Sequence, residues 1–194
     1  PALYSASDAL LDALTGYVRN GGHLIATFRS AFCDEQLKIH CDMQPHILHE
    51  CLGIHYDQYT YPQNVQITLS DGSKSDCKCW MDMVCCDTAR PLFFYEHPAW
   101  KPYAAAAVNE YGQGSALYLA SMFDQHALEK VLRDYFNSFS PEVLANSDCH
   151  FPVIIKDGTN DFGKNVRFYF NYSDTEQHVV WNGCSGTELL SGAS

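Results

Sequence analysis

Positive charge is scarce in this chain. Its 194 residues carry 12 Lys plus Arg against 23 Asp plus Glu, a net charge of −11. No basic cluster relieves that acidity, which argues against a surface that tracks nucleic-acid phosphates and against attraction to anionic membranes. Long apolar runs are missing too, and none approaches the ~20 residues that a membrane-spanning helix needs. The opening PALYSASD has neither a basic n-region nor an apolar h-region, so it does not read as a signal peptide. It also has no initiating methionine, and the expectation is that a segment upstream has been removed. The cysteines number nine, an odd count that suits a reducing compartment better than a disulfide framework in a chain without a secretory signal. The expected location is the cytoplasm.

What is present suits a packed core. The chain is 46% hydrophobic and 13% aromatic, which argues against disorder, and its length suits one domain of ordinary size, or one plus a small appendix. The organising stretch runs from Tyr103 to Phe136 and reads as strand, glycine turn, strand, loop and helix. Ala104 to Val108 and Ser115 to Ala120 are uninterrupted apolar runs, as expected of strands covered on both faces. Gly112 and Gly114 flank the turn, where positive φ costs glycine nothing. The helix that follows places Leu128, Val131, Leu132, Tyr135 and Phe136 on one stripe.

Earlier in the chain, Ser5 or Ser7 caps a predicted helix over Asp8 to Arg19, with Leu10, Leu11, Leu14, Tyr17 and Val18 as its buried stripe. Asn20-Gly21-Gly22 ends it, and His23 to Phe28 follows as a short apolar strand. Helix, glycine turn and buried strand form half of a βαβ unit, which implies a parallel sheet. Residues 29–43 read as a long polar loop, followed by a short helix from Pro45 that Gly53 closes. From Tyr56 to Val84 the pattern alternates, as in antiparallel strands with a turn at Asp71-Gly72. Polar residues around 140–148 suggest a boundary. Beyond it, Val153 to Lys156, Val166 to Tyr172 and His178 to Trp181 read as strands, with turns at Asp157-Gly158 and Tyr172-Ser173-Asp174.

The order of these phrases resembles glycoside hydrolase family 42, the β-galactosidases. PALYSASDALLDALTGYVRNGGHLIATF is similar to the opening of that family's middle domain, and CDEQLKIH and ILHECLGIHYDQY to the loop and short helix after it. AAAAVNEYGQGSALYLASMFD is similar to a phrase late in the same domain, while FYFNYSDTEQHVVW and TELLSGAS resemble the small C-terminal β domain. The weight rests on collinearity over nearly the whole chain. The resemblance implies an α/β fold: a flavodoxin-like, class I glutamine-amidotransferase-like three-layer domain with a mostly parallel sheet over 1–146, its first strand missing, then a partial all-β domain over 147–194. It implies a non-catalytic, homotrimer-forming role. The parent would hydrolyse terminal β-D-galactosides with a (β/α)₈ barrel that this chain does not include. A retaining glycosidase needs two carboxylates facing one sugar, and on this reading neither is here.

Several residues invite chemistry nonetheless. Asn109-Glu110 matches the acid/base pair of many barrel glycosidases, but it sits at the rim of a glycine-rich hairpin, where an exposed turn glutamate is the simpler reading. Cys33 follows the kind of strand that carries an amidotransferase nucleophile. It lacks flanking glycines, and Leu119-Ala120-Ser121-Met122-Phe123 stands where a His-Pro-Glu-like phrase would supply the base and its orienting acid. His126 on the next helix is read as surface or capping. Cys77, Cys79, Cys85 and Cys86, with His97 nearby, suggest zinc, yet Cys77-x-Cys79 would share a face while Cys85 and Cys86 would not, so core cysteines are preferred. Tyr56, Tyr59, Tyr61, Phe93, Phe94, Tyr95 and Trp100 could stack on sugars but are read as core or subunit interface. Arg29 and the 29–43 loop are the expected border of a neighbouring subunit's active-site pit. No catalytic, cofactor or metal residue is assigned. The rival functions are a small cysteine hydrolase using Cys33 and a lectin-like module using the aromatics.

Overall fold

The computed structural model describes residues 2–140, 151–179 and 186–189. The chain divides into two compact units, 1–135 and 136–194. The boundary expected at 146/147 lies outside the described residues.

In the first unit, α1 (Asp8–Arg19) begins where Ser7 accepts a hydrogen bond from the Leu10 amide. It ends in a glycine turn: Gly21 takes φ +102° and the Gly22 amide returns to the Tyr17 carbonyl at 2.9 Å. Strand β1 (His23–Thr27) follows directly, and after the long loop comes α2 (Leu48–Leu52), closed by Gly53 at φ +64°. Then come β2 (Ile54–His55), β3 (Tyr59–Thr60), β4 (Gln66–Thr68), β5 (Lys74–Asp76), β6 (Lys78–Asp82), β7 (Cys85–Cys86) and β8 (Arg90–Phe94). The hairpin β9 (Ala104–Tyr111) and β10 (Gly114–Leu119) precedes the short β11 (Ser121–Met122) and α3 (Gln125–Asn137).

The main sheet runs β1-β10-β9-β8, and a second runs β11-β6-β3; β2 pairs β7, and β4 pairs β5. Of the strand pairs, β1 and β10 are parallel and the others antiparallel, so the expected mostly parallel sheet is corrected. The cause is local. The apolar runs of β9 and β10 are covered on both faces as expected, but a tight glycine turn joins them, and a tight turn can link only antiparallel neighbours. Burial on both faces does not specify strand direction.

Helices lie on both faces of this sheet. Asn109 donates from Nδ2 to the Cys51 carbonyl of α2 at 3.0 Å, whereas the Ser115 hydroxyl meets the Tyr135 hydroxyl of α3 at 2.8 Å. Asn109 is paired with Ala116, the neighbour of Ser115, so the two contacts leave opposite faces. Both predicted stripes shift. Helix α1 buries Leu11, Thr15 and Val18 and leaves Leu10 and Tyr17 exposed; α3 buries Ala127, Val131 and Tyr135 and leaves Leu128 at the solvent rim. In α1 the buried row includes the small Thr15 and Val18, and in α3 it includes Ala127 and Val131.

Among the described residues of the second unit, β12 (Val153–Thr159) and β13 (Asn165–Asn171) form a hairpin. The turn expected at Asp157-Gly158 falls instead at 160–164, where the Asn160 side chain accepts from the amides of Phe162 and Lys164. Asp157 is drawn into the strand by Arg167, its cross-strand partner, through two hydrogen bonds of 2.5 and 2.8 Å. His178 and Val179 are not in a strand, and the rest of that predicted run lies outside the described residues.

Gly114 marks the tightest approach in the core. A Cβ there would lie 2.0 Å from the Gly22 carbonyl and 2.3 Å from that of Val18, both backbone atoms with little room to retreat. Gly114→Ala should therefore destabilise the chain by about 2–3 kcal/mol in urea unfolding. Gly16→Ala, within α1 and with open space around its Cβ, should stabilise it by roughly 0.5–1 kcal/mol.

Candidate functional site

Open α/β sheets place their sites beyond the carboxyl ends of parallel strands. The end of β1 leads here into a backbone held in an unusual shape. Arg29 and Ala31 both take positive φ, at 56° and 54°, a region that disfavours side chains other than glycine. The segment 3–6 straps this turn in place. Ala31 donates to the Leu3 carbonyl at 2.7 Å, Phe32 and Cys33 donate to the Tyr4 carbonyl at 3.1 Å, and Ala6 donates to the Cys33 carbonyl at 3.2 Å.

The turn presents the Arg29 guanidinium to four aromatic rings. Its central carbon lies 4.2 Å from the Phe32 ring centre, 4.4 Å from Trp80, 4.7 Å from Tyr4 and 4.9 Å from Tyr59. Contacts of this kind contribute about 0.5–1 kcal/mol each at partly exposed sites. One Arg29 nitrogen donates to the Tyr4 hydroxyl at 3.2 Å, while Nε is buried without a hydrogen-bond partner. The rings surround the guanidinium.

Beneath the turn lies Asp82, fully buried on β6. Its carboxylate accepts from the Arg29 backbone amide at 3.0 Å, the Trp80 indole at 3.0 Å and the Tyr118 hydroxyl at 2.7 Å. Burial pushes its pKa up to about 6, and these three hydrogen bonds partly offset that rise. A carboxylate so enclosed, with its donors all from the protein, is a structural anchor. Tyr118 and Tyr95, also enclosed, are pushed far above the usual phenol range by burial.

The sequence-derived candidates fall apart in space. Cys33 is buried and its thiol donates to the Tyr4 carbonyl at 3.4 Å. His126 is exposed on α3. Asn109 is buried, gripping α2 through the carbonyls of Glu50 and Cys51 and accepting from Thr88 at 3.1 Å. Its neighbour Glu110 is exposed on the rim of an open cleft of about 580 Å³ that His55, bonded to Asp87, also lines. Cys77 is buried but Cys79 is exposed, contrary to the shared face expected, because Cys79, the second residue of β6, takes φ +61° and interrupts the alternation. Burial pushes the Cys77 thiol up to about 11. Cys85 and Cys86 are half-buried on β7, and His97 stacks on Trp100.

The aromatics divide. Tyr56, Phe93 and Tyr95 are core, while Tyr59, Tyr61 and Phe94 are exposed. Asp82 and Trp80 were not among the candidates. The available signal was Asp82 itself, an acid between two methionines in CKCWMDMV, where alternation would bury either the acid or both of its neighbours.

Comparison with known proteins decides what this scaffold is. Residues 1–140 match the family described as the β-galactosidase trimerisation domain. The chain belongs to this family. The β-galactosidase BgaB of Geobacillus sp. (strain Y412MC61) is 30% identical over 138 residues, covering 70% of this chain and 20% of that protein. The crystal structures of the β-galactosidases from Bacillus circulans sp. alkalophilus and Rahnella sp. R3 each superpose with a TM-score of 0.71. They are 18% and 22% identical respectively, and each match covers 89% of this chain and 26% of the other, which shows a shared fold. The chain thus spans about a fifth of the curated relative and about a quarter of the two solved structures. Its assignment to family 42 of the glycoside hydrolases accords with the collinear phrases.

The elevated pKa of Asp82 has a definite sign. Folding holds the proton more tightly than the unfolded chain does, so this contribution is complete below about pH 4 and is lost as pH rises through about 6. Between about pH 4.5 and 7.5 the wild-type chain should lose roughly 2 kcal/mol of unfolding free energy relative to Asp82→Asn, measured by urea titration. Parallel pH curves for the two proteins would contradict this assignment.

Proposed function

We propose that this chain is the self-association region of a longer β-galactosidase, assembling three copies and leaving hydrolysis of terminal β-D-galactosides to a catalytic barrel elsewhere in that protein. The observation that carries the reading is the match to the trimerisation-domain family over residues 1–140. A cytoplasmic location is proposed as well, and the odd cysteine count supports it. The acidic chain is proposed to have no nucleic-acid or membrane partner. No described helix is long and apolar enough to cross a membrane.

Helices on opposite faces of a sheet that contains the parallel pair β1–β10 support a finer reading. The first unit is proposed as a sheet-rich, partly antiparallel relative of the flavodoxin-like, amidotransferase-like layered fold. Residues 147–194 are proposed as part of a C-terminal β domain.

The loop between β1 and α2 is the proposed contact surface. It exposes Leu37, Ile39 and Met43 at 67%, 50% and 52%, and it carries Phe32, against which Tyr4 and the exposed Tyr59 pack. Exposed apolar side chains grouped on one segment mark an association surface, and Arg beside aromatic rings is the usual composition of its centre. Arg29 and residues 29–43 would then face the neighbouring copy and could border its active-site pit.

Sedimentation equilibrium should give a species of three times the 21.8 kDa chain mass. Leu37→Asp should shift it to monomer with unchanged circular dichroism. A native chain that stays monomeric at all accessible concentrations would overturn the proposal.

A further inference from the structure

The same loop carries a second feature. His40 and His46 stack face to face, with ring centres 3.6 Å apart and planes 9° from parallel. Asp8, in the first turn of α1, reaches them from the other side. One carboxylate oxygen and one ring nitrogen from each histidine all lie within 4.8 Å of one another, and among the described residues this is the group of His, Cys, Asp and Glu side chains placed to share a metal ion.

Hydrogen bonding sharpens the point. His46 Nδ1 lies 2.6 Å from an oxygen of Asp42, a contact that requires the ring to donate there. In the neutral ring, Nε2 then carries a lone pair, and it faces the Asp8 carboxylate at 3.2 Å. Two acceptors at that distance repel unless a cation sits between them. A proton on Nε2 and a bound metal ion are the two cations that could take that place. The second ring has its own deficit, since His40 Nε2 is buried without a hydrogen-bond partner. One divalent ion would take the place between Asp8 and His46 and give the His40 ring a partner.

We propose that Asp8, His40 and His46 form a binding site for a divalent transition-metal ion of the zinc class. Two imidazoles and a carboxylate are its preferred ligands when a fourth position is left open to water. Asp42 acts on His46 as metal-site carboxylates commonly do, fixing the tautomer and raising the basicity of the coordinating nitrogen. Donors about 2.0–2.1 Å from zinc stand roughly 3.3 Å apart in a tetrahedron. The Asp8–His46 pair already has that spacing, and the His40 ring would leave its face-to-face stack to bring a nitrogen to the same ion. The ion would clasp the long loop to the N-terminal end of α1. His46, held at φ +50°, is where the loop turns back towards α2.

Two features set the site apart from the cysteines weighed above. Its ligands are nitrogen and oxygen, and they come from the helix and the loop, not from β5 to β7. Titration of the full chain with Co²⁺, monitored by visible absorption, should show one saturable equivalent. The d–d bands should come without a thiolate-to-cobalt charge-transfer band, and Zn²⁺ should displace the ion. Affinity should fall about tenfold or more in His40→Gln and in Asp8→Asn and should persist in Cys79→Ser. Asp8 is exposed, so Asp8→Asn keeps the test decisive if His40→Gln fails to fold. No saturable binding, a thiolate band, or affinity unchanged in Asp8→Asn would each overturn the proposal.

Discussion

The buried carboxylate of Asp82 is the constraint that holds the first unit to one arrangement. An ionised acid out of water is costly unless its lone pairs are occupied, and here three donors occupy them. The donors come from the turn after β1, from β6 itself and from Tyr118 near the C-terminal end of β10. One side chain therefore ties the main sheet, the β11-β6-β3 sheet and the strained Arg29 turn together. Because a hydrogen bond requires correct distance and direction, the three elements cannot slide past one another as a purely apolar core would allow. The proton retained to about pH 6 shows how incomplete the compensation is.

From that anchor the surface of the unit follows. Asp82 fixes the backbone of Arg29, the four rings surround its guanidinium, and the loop that starts there carries apolar side chains into solvent. The arginine beside an exposed apolar loop is what the proposed contact surface rests on. The chemistry-bearing residues elsewhere are occupied with structure: the Asn109 amide grips α2, and the Cys33 thiol is bonded to a backbone carbonyl.

Local features were legible in the sequence, and distant juxtapositions were not. The span Asp8–Arg19, the glycine turn after it, the Gly53 stop and the β9–β10 hairpin all follow from caps and turns within a few residues of one another. Helix stripes were harder. Leu10 and Tyr17 are apolar by type yet face outward, because Thr15 and Val18 are small enough to lie against the sheet. Periodicity reports which residues could be buried, not which row is thin enough. Strand direction was misjudged for a related reason, since a buried run looks the same in either orientation. Cys79 escaped because a single positive φ reverses the facing of a strand, and Asp157-Gly158 because a cross-strand arginine outweighed its turn preference. The Arg29 cluster gathers residues 4, 29, 32, 59 and 80, and the Asp8–His40–His46 group spans nearly 40 positions. No linear spacing encodes either of them.

The tight contact at Gly114 reaches further than its own hairpin. The carbonyls of Val18 and Gly22 rest against it, and the Gln113 amide bonds the Arg19 carbonyl at 3.0 Å, so the hairpin tip sets the axial position of one end of α1. A helix of 12 residues is a rod about 18 Å long. Its far end carries Asp8. Helix α1 is thus a strut of set length: the glycine at one end determines how far the carboxylate at the other extends towards the two histidines.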